Sequence, residues 1–488
     1  MPKLVIQKSN FTAGEIADDL HSRTDIPQYS NGARELFNVL PMVEGGFKAR
    51  AGTEYVQKVA VESPQRIIPF DVGSGERFLV VISENLLQVM RQADGAYVFS
   101  AYAPWDGFSQ ISYVQQEYTA WFASSTGTIP IWWLRASDDF TSWVFEVFPL
   151  DVAPFGEVNP TPEVSLKPSG KEQGEEIKLE PVAVVPDGYD PGVDPPLTIP
   201  DCWTVDDVGK YVTINGGLVR IVRYSNAQLV YGLVLQPLSA TVTSIAGAWS
   251  LKESVWSATE GYPTCITHFK QRLVASATTK RPNSIWFSRI GDERNFQLTT
   301  LDADAFEVVP SSPRPNRVLH LGVMRDGVVA LTATNEVFVS GGGQPFTPTT
   351  VTVTEQSNYG ASLLAPPIRV GSELLFVQRG YSRLRAMSYR YEIDGLVAED
   401  LSALASHIPR LHGGIRSIVY QQEPDQVVWC VMLDGTVSSC TFNREQQVVA
   451  WAQHEFGGRV IDMCSLSGIG DDEVYLLVQR GDGLNDQV

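Results

Sequence analysis

Gln426-Val427-Val428-Trp429-Cys430-Val431-Met432 runs through Asp434-Gly435 into Thr436-Val437-Ser438-Ser439-Cys440-Thr441-Phe442. A polar turn, Asn443-Arg444-Glu445-Gln446, then feeds Val448-Val449-Ala450-Trp451-Ala452-Gln453-His454. Each run is short, rich in β-branched and aromatic residues, and bounded by turn chemistry, which is how strands read. An Asp-Gly pair between such runs tolerates positive φ and twists in the sense a hairpin needs. With Ile415-Arg416-Ser417-Ile418-Val419-Tyr420 upstream, the stretch predicts four consecutive strands joined by tight turns. A four-stranded meander is the unit of a β-propeller blade.

The same pattern recurs outward from this block. Arg77–Ile82 and Leu86–Met90 lead through Asp94-Gly95 into Ala96–Phe99, and looser meanders surround Thr334-Asn335 and Gly380. Helical periodicity is confined to short candidates at Ile16–His21 and Ala33–Leu40. Spacing of about 40–50 residues fits blades, but no fixed-period signature such as a Trp-Asp dipeptide marks them. One or two β-sandwiches would use the same strands and turns, so pattern alone leaves both architectures open.

From Glu157 to Pro200 the composition shifts to Pro, Gly, Lys and Glu, including Asp187-Gly188-Tyr189-Asp190-Pro191-Gly192-Val193-Asp194-Pro195-Pro196. Such a stretch is disfavoured for packed strands and predicts an exposed loop. Directly after it, Val208–Val222 reads as a hairpin around Asn215-Gly216. The organisation predicted is an extended N-terminal arm over 1–60 and a mainly β, propeller-like body over 61–154 and 251–488. A small β module with its Pro/Gly-rich loop is inserted at 155–250.

Composition narrows the function. The 488 residues carry 37 Lys+Arg against 56 Asp+Glu, a formal charge of −19, which argues against a protein whose main task is gripping nucleic acid. Five scattered cysteines with no Cys-x-x-Cys predict reduced thiols rather than a disulfide framework. The first eight residues have no apolar leader core. Tyr224–Leu251 is free of charge, but its alternating apolar residues, Asn226, Gln228, Gln236 and Pro237 predict paired strands rather than a membrane span.

Catalytic signatures are sparse. His407 and His412 stand five apart without the neighbours of a metal-binding motif, and no Gly-x-Ser-x-Gly elbow or P-loop lysine occurs. Asp302-Ala303-Asp304-Ala305-Phe306-Glu307 has the alternating oxygens that begin a calcium loop, but lacks the glycine and the closing carboxylate. Paired carboxylates for glycoside hydrolysis come from distant strands and leave no spacing to read, so a propeller glycosidase or depolymerase of surface polysaccharide stands as the alternative function. No catalytic residue, cofactor or metal is assigned.

One segment is distinctive: Phe11-Thr12-Ala13-Gly14-Glu15, then Arg23-Thr24-Asp25-Ile26-Pro27-Gln28-Tyr29, Asn38, Gly45-Gly46 and Arg50-Ala51-Gly52-Thr53. Further blocks follow at Gly261–Leu273 with Arg281–Arg289, at Thr347–Gly360 with Leu375–Gly380, and at Asp400–Ile408 with Tyr420–Asp425. In order and combination these resemble the tail nozzle proteins of short-tailed bacteriophages (podoviruses), the tail tubular protein B family. Ser22 stands where that family usually has glycine, and Ala17-Asp18 where Ser-Pro is common.

The resemblance implies a non-enzymatic virion component made in the host cytoplasm. It would form a ring of six with a propeller-like body, seated below an adaptor ring and continuing the DNA channel toward the host. It would hold packaged DNA and conduct it during ejection, touching genomic DNA transiently and without sequence preference. A tail fibre, needle or tip protein would be a further partner, met by the 157–200 loop. Six copies at −19 carry roughly −114, and acidic walls repel phosphate. The N-terminal arm is then the candidate subunit contact, through Phe11, Glu15, Arg23, Asp25, Tyr29 and Arg50. The competing reading is that the arm folds on its own chain.

Overall fold

The structure is a computed structural model describing residues 8–59, 64–73, 75–105, 110–183, 195–299, 301–311, 316–468 and 470–480. The chain divides into two compact units. One comprises Met1–Pro149, Gly261–Glu293 and Thr300–Val488; the other comprises Leu150–Glu260 and Arg294–Thr299.

The first unit is a six-bladed β-propeller of four-stranded antiparallel sheets. Blade 1 is Pro64–Asp71, Arg77–Ser83, Leu86–Arg91 and Tyr97–Tyr102; blade 2 is Ile111–Gln116, Thr119–Ser124, Trp132–Ala136 and Trp143–Val147. Blade 3 is Cys265–Phe269, Arg272–Ser276, Ile285–Phe287 and Phe306–Val308; blade 4 is Val318–Met324, Gly327–Thr332, Glu336–Ser340 and Thr352–Ser357. Blade 5 is Ile368–Val370, Glu373–Val377, Leu384–Arg390 and Gly395–Asp400; blade 6 is the meander Ile415–Gln421, Val427–Met432, Val437–Asn443 and Val448–His454. A two-stranded hairpin, Arg459–Leu466 with Glu473–Gln479, follows blade 6.

The first strand of each blade lies innermost. These six strands and the hairpin's Arg459–Leu466 together line one axial cavity, so the hairpin takes a seventh place round the axis. The packing follows the same circle. Blades 1 and 2 share a core around Phe70, Phe78, Phe122 and Leu134, and blades 3 and 4 one around Phe287, Val328 and Phe346. Blades 4 and 5 meet through Leu331 and Phe376, and blades 5 and 6 through Leu375, Ile418 and Trp451. Between blades 2 and 3, the Trp121 ring lies edge-on to His268 at 4.7 Å. The hairpin packs Met463 against Trp429 of blade 6 on one face, and Cys464 and Leu477 against Ile67 and Leu79 of blade 1 on the other.

This explains the sequence pattern. The second strand of every blade has neighbours on both faces, so Arg77–Ser83, Gly327–Thr332 and Val427–Met432 are continuous apolar runs buried almost throughout. Outer strands such as Thr352–Ser357 meet water and lose that run. The Asp434-Gly435 turn is as read. Asp434 Oδ1 accepts from the Thr436 N–H (2.9 Å), and Gly435 sits at φ +89° with no space for a Cβ against Arg459.

The second unit is a seven-stranded antiparallel sheet. Its order is Phe155–Asn159, Ser250–Ser254, Tyr211–Ile214, Gly217–Asn226, Leu229–Gln236, Glu176–Val182 and Ser165–Pro168, around Trp203, Trp249, Ile221 and Val230. The uncharged stretch Tyr224–Leu251 therefore enters three of its strands, and among the described residues no helix is long and apolar enough to cross a membrane.

Two expectations change. The Pro/Gly-rich segment after Glu157 is not all loop, because it supplies Ser165–Pro168 and Glu176–Val182. Ile177 and Leu179 point inward between exposed Glu176, Lys178 and Glu180, and Pro168 ends an edge strand, where a missing N–H is tolerated. Alternation over a few residues outweighed composition. The 184–194 part of the expected loop lies outside the described residues. In Ala33–Leu40 no helix forms. The segment pairs through Gly32–Ala33 and Val39–Pro41, tertiary pairing overriding a weak local preference.

Two buried histidines make stability pH-dependent. His320 donates from Nε2 to the Ser362 carbonyl (2.8 Å), and burial pushes its pKa down to about 4. His454 bonds the Ser439 hydroxyl (2.7 Å); burial, then the Arg50 charge, push its pKa down to about 3. Both are neutral when folded and take up a proton on unfolding near pH 6.5, so their contribution is complete above that pH and is lost as pH falls toward 4. The unfolding free energy from urea titration followed by Trp fluorescence should drop between pH 7 and pH 4.5, by about 2 kcal/mol per histidine. A His320→Gln/His454→Gln variant should show a flatter profile; an unchanged slope would refute the assignment.

Candidate functional site

Phe11-Thr12-Ala13-Gly14-Glu15 docks onto the outer edge of blade 6. Gly14 and Glu15 pair in parallel with Gly32 and Ala33. At φ +66°, Gly14 brings its backbone so close to Val448–His454 that a Cβ would stand 2.2 Å from the Trp451 nitrogen. Only glycine fits there. The Glu15 side chain, 2% exposed, points inward. Its Oε2 accepts from the Leu36 N–H (2.9 Å), and its Oε1 from His407 Nε2 and Gln453 Nε2 (2.7 Å each). Three donors satisfy this buried carboxylate, as burial of such a group requires. Leu36–Asn38 then adds to the open edge of blade 6. Gln453 N–H donates to Leu36 O (2.9 Å), and Asn38 N–H to Gln453 O (2.8 Å).

The six candidate contact residues separate into two groups. Glu15 is consumed within the chain. Arg50 lies over the Phe456 ring at 4.2 Å and donates to the Glu455 carbonyl (3.2 Å), and Phe11 packs edge-on against Phe47 at 5.1 Å. Arg23, Asp25 and Tyr29 stand outward. Arg23 and Asp25 form a two-bond fork with each other (2.8 and 2.9 Å), and no residue of Asp18–Leu20 or Pro27–Ser30 is buried. The segment is thus an anchored base carrying an exposed hook.

The propeller axis holds a second feature that sequence reading missed. The axial cavity has a volume of about 460 Å³. Four of the seven inner strands carry a register shift at one level: Pro64/Arg66, Val318/His320, Ile415/Ser417 and Val460/Asp462. A bulge re-aims the side chain that follows it, and all four of these residues line the cavity. Arg66 approaches Asp462 (3.5 Å), Asp462 also accepts from the Ile67 N–H (3.2 Å), and His320 is held by Ser362. Ser417 Oγ is buried with no partner among the described residues. Arg416 lies beside this belt, its pKa lowered by burial against the pull of Asp462. No glycine marks the bulges, so sequence gave no signal for them.

Chemically the belt is poor in catalytic means. Asp462 is the one carboxylate among the described lining residues, and it is committed to Arg66, whereas glycoside hydrolysis needs two. Elsewhere, the backbone carbonyls of Asp302 and Asp304 accept from the buried Arg272 guanidinium (2.9 and 2.7 Å), and the Asp304 carboxylate faces Arg289 (3.4 Å). His412 is engaged by Asp434 (2.7 Å).

Replacing Glu15 with alanine should free the hook-bearing segment. Cleavage within residues 18–30 by a dilute protease should accelerate at least tenfold, while the propeller melts within a few degrees of wild type. Asp462→Asn removes the charge facing Arg66 and should destabilise the propeller by about 1–3 kcal/mol in urea titration.

No family model and no curated protein matches the sequence. Among solved structures the chain is similar to a catalytically inactive virginiamycin B lyase from Staphylococcus aureus with quinupristin. The identity is 12% and the TM-score 0.32, over 77% of this chain and 94% of that one. It is similar likewise to BBS1N in complex with ARL6DN, at 12% identity and TM-score 0.32, over 80% of this chain and 96% of that one. At these values neither likeness bears on function.

Proposed function

We propose that the chain is a structural subunit of a short phage tail, a nozzle ring below the adaptor that continues the DNA channel and conducts the genome during ejection. The observation that carries this reading is the N-terminal segment, whose residues resemble the tail tubular protein B family. A buried carboxylate fixes its base on blade 6, and its Arg23–Tyr29 hook is presented to solvent. A projection with a rigid root and an exposed tyrosine and arginine has the residue types that anchor protein interfaces. The net charge of −19 supports a wall along which DNA slides, since an excess of carboxylates repels phosphate. The Arg66-paired Asp462 gives the glycosidase alternative no support.

In this reading the partners are five further copies, the adaptor ring, a fibre, needle or tip protein, and passing DNA. The native mass of the purified chain, with negative-stain averages after mixing with adaptor-bearing necks, tests it. A six-copy ring capping the neck is expected. Arg23→Ala with Tyr29→Ala should weaken assembly about tenfold or more at unchanged melting temperature. A monomer that ignores the neck would overturn the reading.

A further inference from the structure

Six blades have four strands, whereas the seventh position has two. Beyond Glu473–Gln479 no third strand pairs among the described residues. Beside this hairpin lies a slot of about 750 Å³. Its floor is the strand segment Glu473–Val478, one wall is the blade 1 face with Leu79, Val81 and Met90, and Gly52–Val59 roofs it without regular pairing. The hairpin alternates its faces, Val474, Leu476 and Val478 toward blade 6 and Tyr475 and Leu477 toward blade 1. A strand added here would likewise be covered on both sides. Two-sided burial selects a short continuous apolar run, as in the second strands of the blades. On the roof, Tyr55 and Val56 stay 71% and 49% exposed.

We infer that this slot takes an extended segment as a third strand by edge addition, and that the occupant is Lys3-Leu4-Val5-Ile6-Gln7 from a neighbouring copy. Of the two terminal segments outside the described residues, this one has three consecutive β-favouring apolar residues between polar ends; Gly481–Val488 is polar and glycine-rich. Lys8, which follows directly, is tied by Nζ to the Gly32 carbonyl, and Phe11 N–H to Gly45 O (2.6 Å). This run therefore joins the described chain at the arm's anchored base. Seven residues reach at most about 25 Å. Donating a strand from each copy to the next is a head-to-tail contact, which closes into a ring where the rotation permits. The inference rests on the ring reading above, and it adds the contact that joins the copies.

The test places one cysteine at Val5 and a second, in separate variants, at Val474, Leu476 or Val478, all in a Cys202→Ser background, and oxidises the full-length assembled protein. Crosslinked dimers and higher ladders from at least one pair are expected. Mixing two copies of different tag size, each with a single cysteine, should give only the mixed crosslink. Deleting residues 2–7 should lower the assembled fraction at least tenfold without moving the melting temperature. A crosslink confined within one chain would overturn the exchange between copies. Rings that persist after the deletion, with no crosslink at any pair, would overturn the inference while leaving the ring reading intact. A wild-type protein that is monomeric and uncrosslinked would overturn both.

Discussion

Two-sided burial in a closed circle is the constraint on which the propeller depends. A blade's second strand is covered only if neighbours stand on both faces, so no blade is satisfied until the ring is complete. Closure falls to residues far apart in sequence. Asp462 in the last hairpin accepts the Ile67 N–H and faces Arg66 in the first inner strand, and Cys464, Leu466 and Leu477 bury Leu79 and Val81. The contact spans almost 400 residues, so the ordering entropy of the whole body must be met before this latch repays any of it. A hairpin of only two strands closes the circle because the inner strand supplies the axial contacts and its partner covers the faces nearest them. What the hairpin does not supply is the outer half of a blade.

The outer edge of blade 6 is handled differently. Leu36–Asn38 pairs with it, Leu40 enters its core, and Thr441 donates to the Pro41 carbonyl (2.8 Å). An open strand edge invites pairing with other chains, and here the chain's own N-terminal segment covers it. At the adjacent seventh position no strand among the described residues pairs with the hairpin's outer edge, and Gly52–Val59 only passes over it, so the two neighbouring edges of one body have opposite characters.

How much was readable follows from where the information lies. Blade 6 was legible strand by strand because its apolar runs, its Asp-Gly turn and its short loops are local. Inner strands begin at residues 64, 111, 265, 318, 368, 415 and 459, which is 44 to 53 apart wherever no module intervenes. Loops of varying length blur that period, and the module between blades 2 and 3 breaks it, so repetition could not separate propeller from sandwich. The strands in 165–182 were masked by prolines and charges that are average over the window but alternate correctly residue by residue. The axial belt was illegible for another reason. Arg66, His320, Ser417 and Asp462 come from four strands, and the bulges that aim them have no compositional mark.

The N-terminal motif shows what kind of information a recognisable motif carries here. Gly14 is required because the arm's backbone touches Trp451, and Glu15 because three donors converge on a site that water cannot reach. Removing the carboxylate would strand those donors, and lengthening the link between residues 14 and 15 would point the acid away from them. The spacing is set by docking, not by reactivity. Glu15 is the pin that holds a strand-covering segment to its blade, and that arrangement leaves the Arg23–Asp25 pair and Tyr29 at the surface.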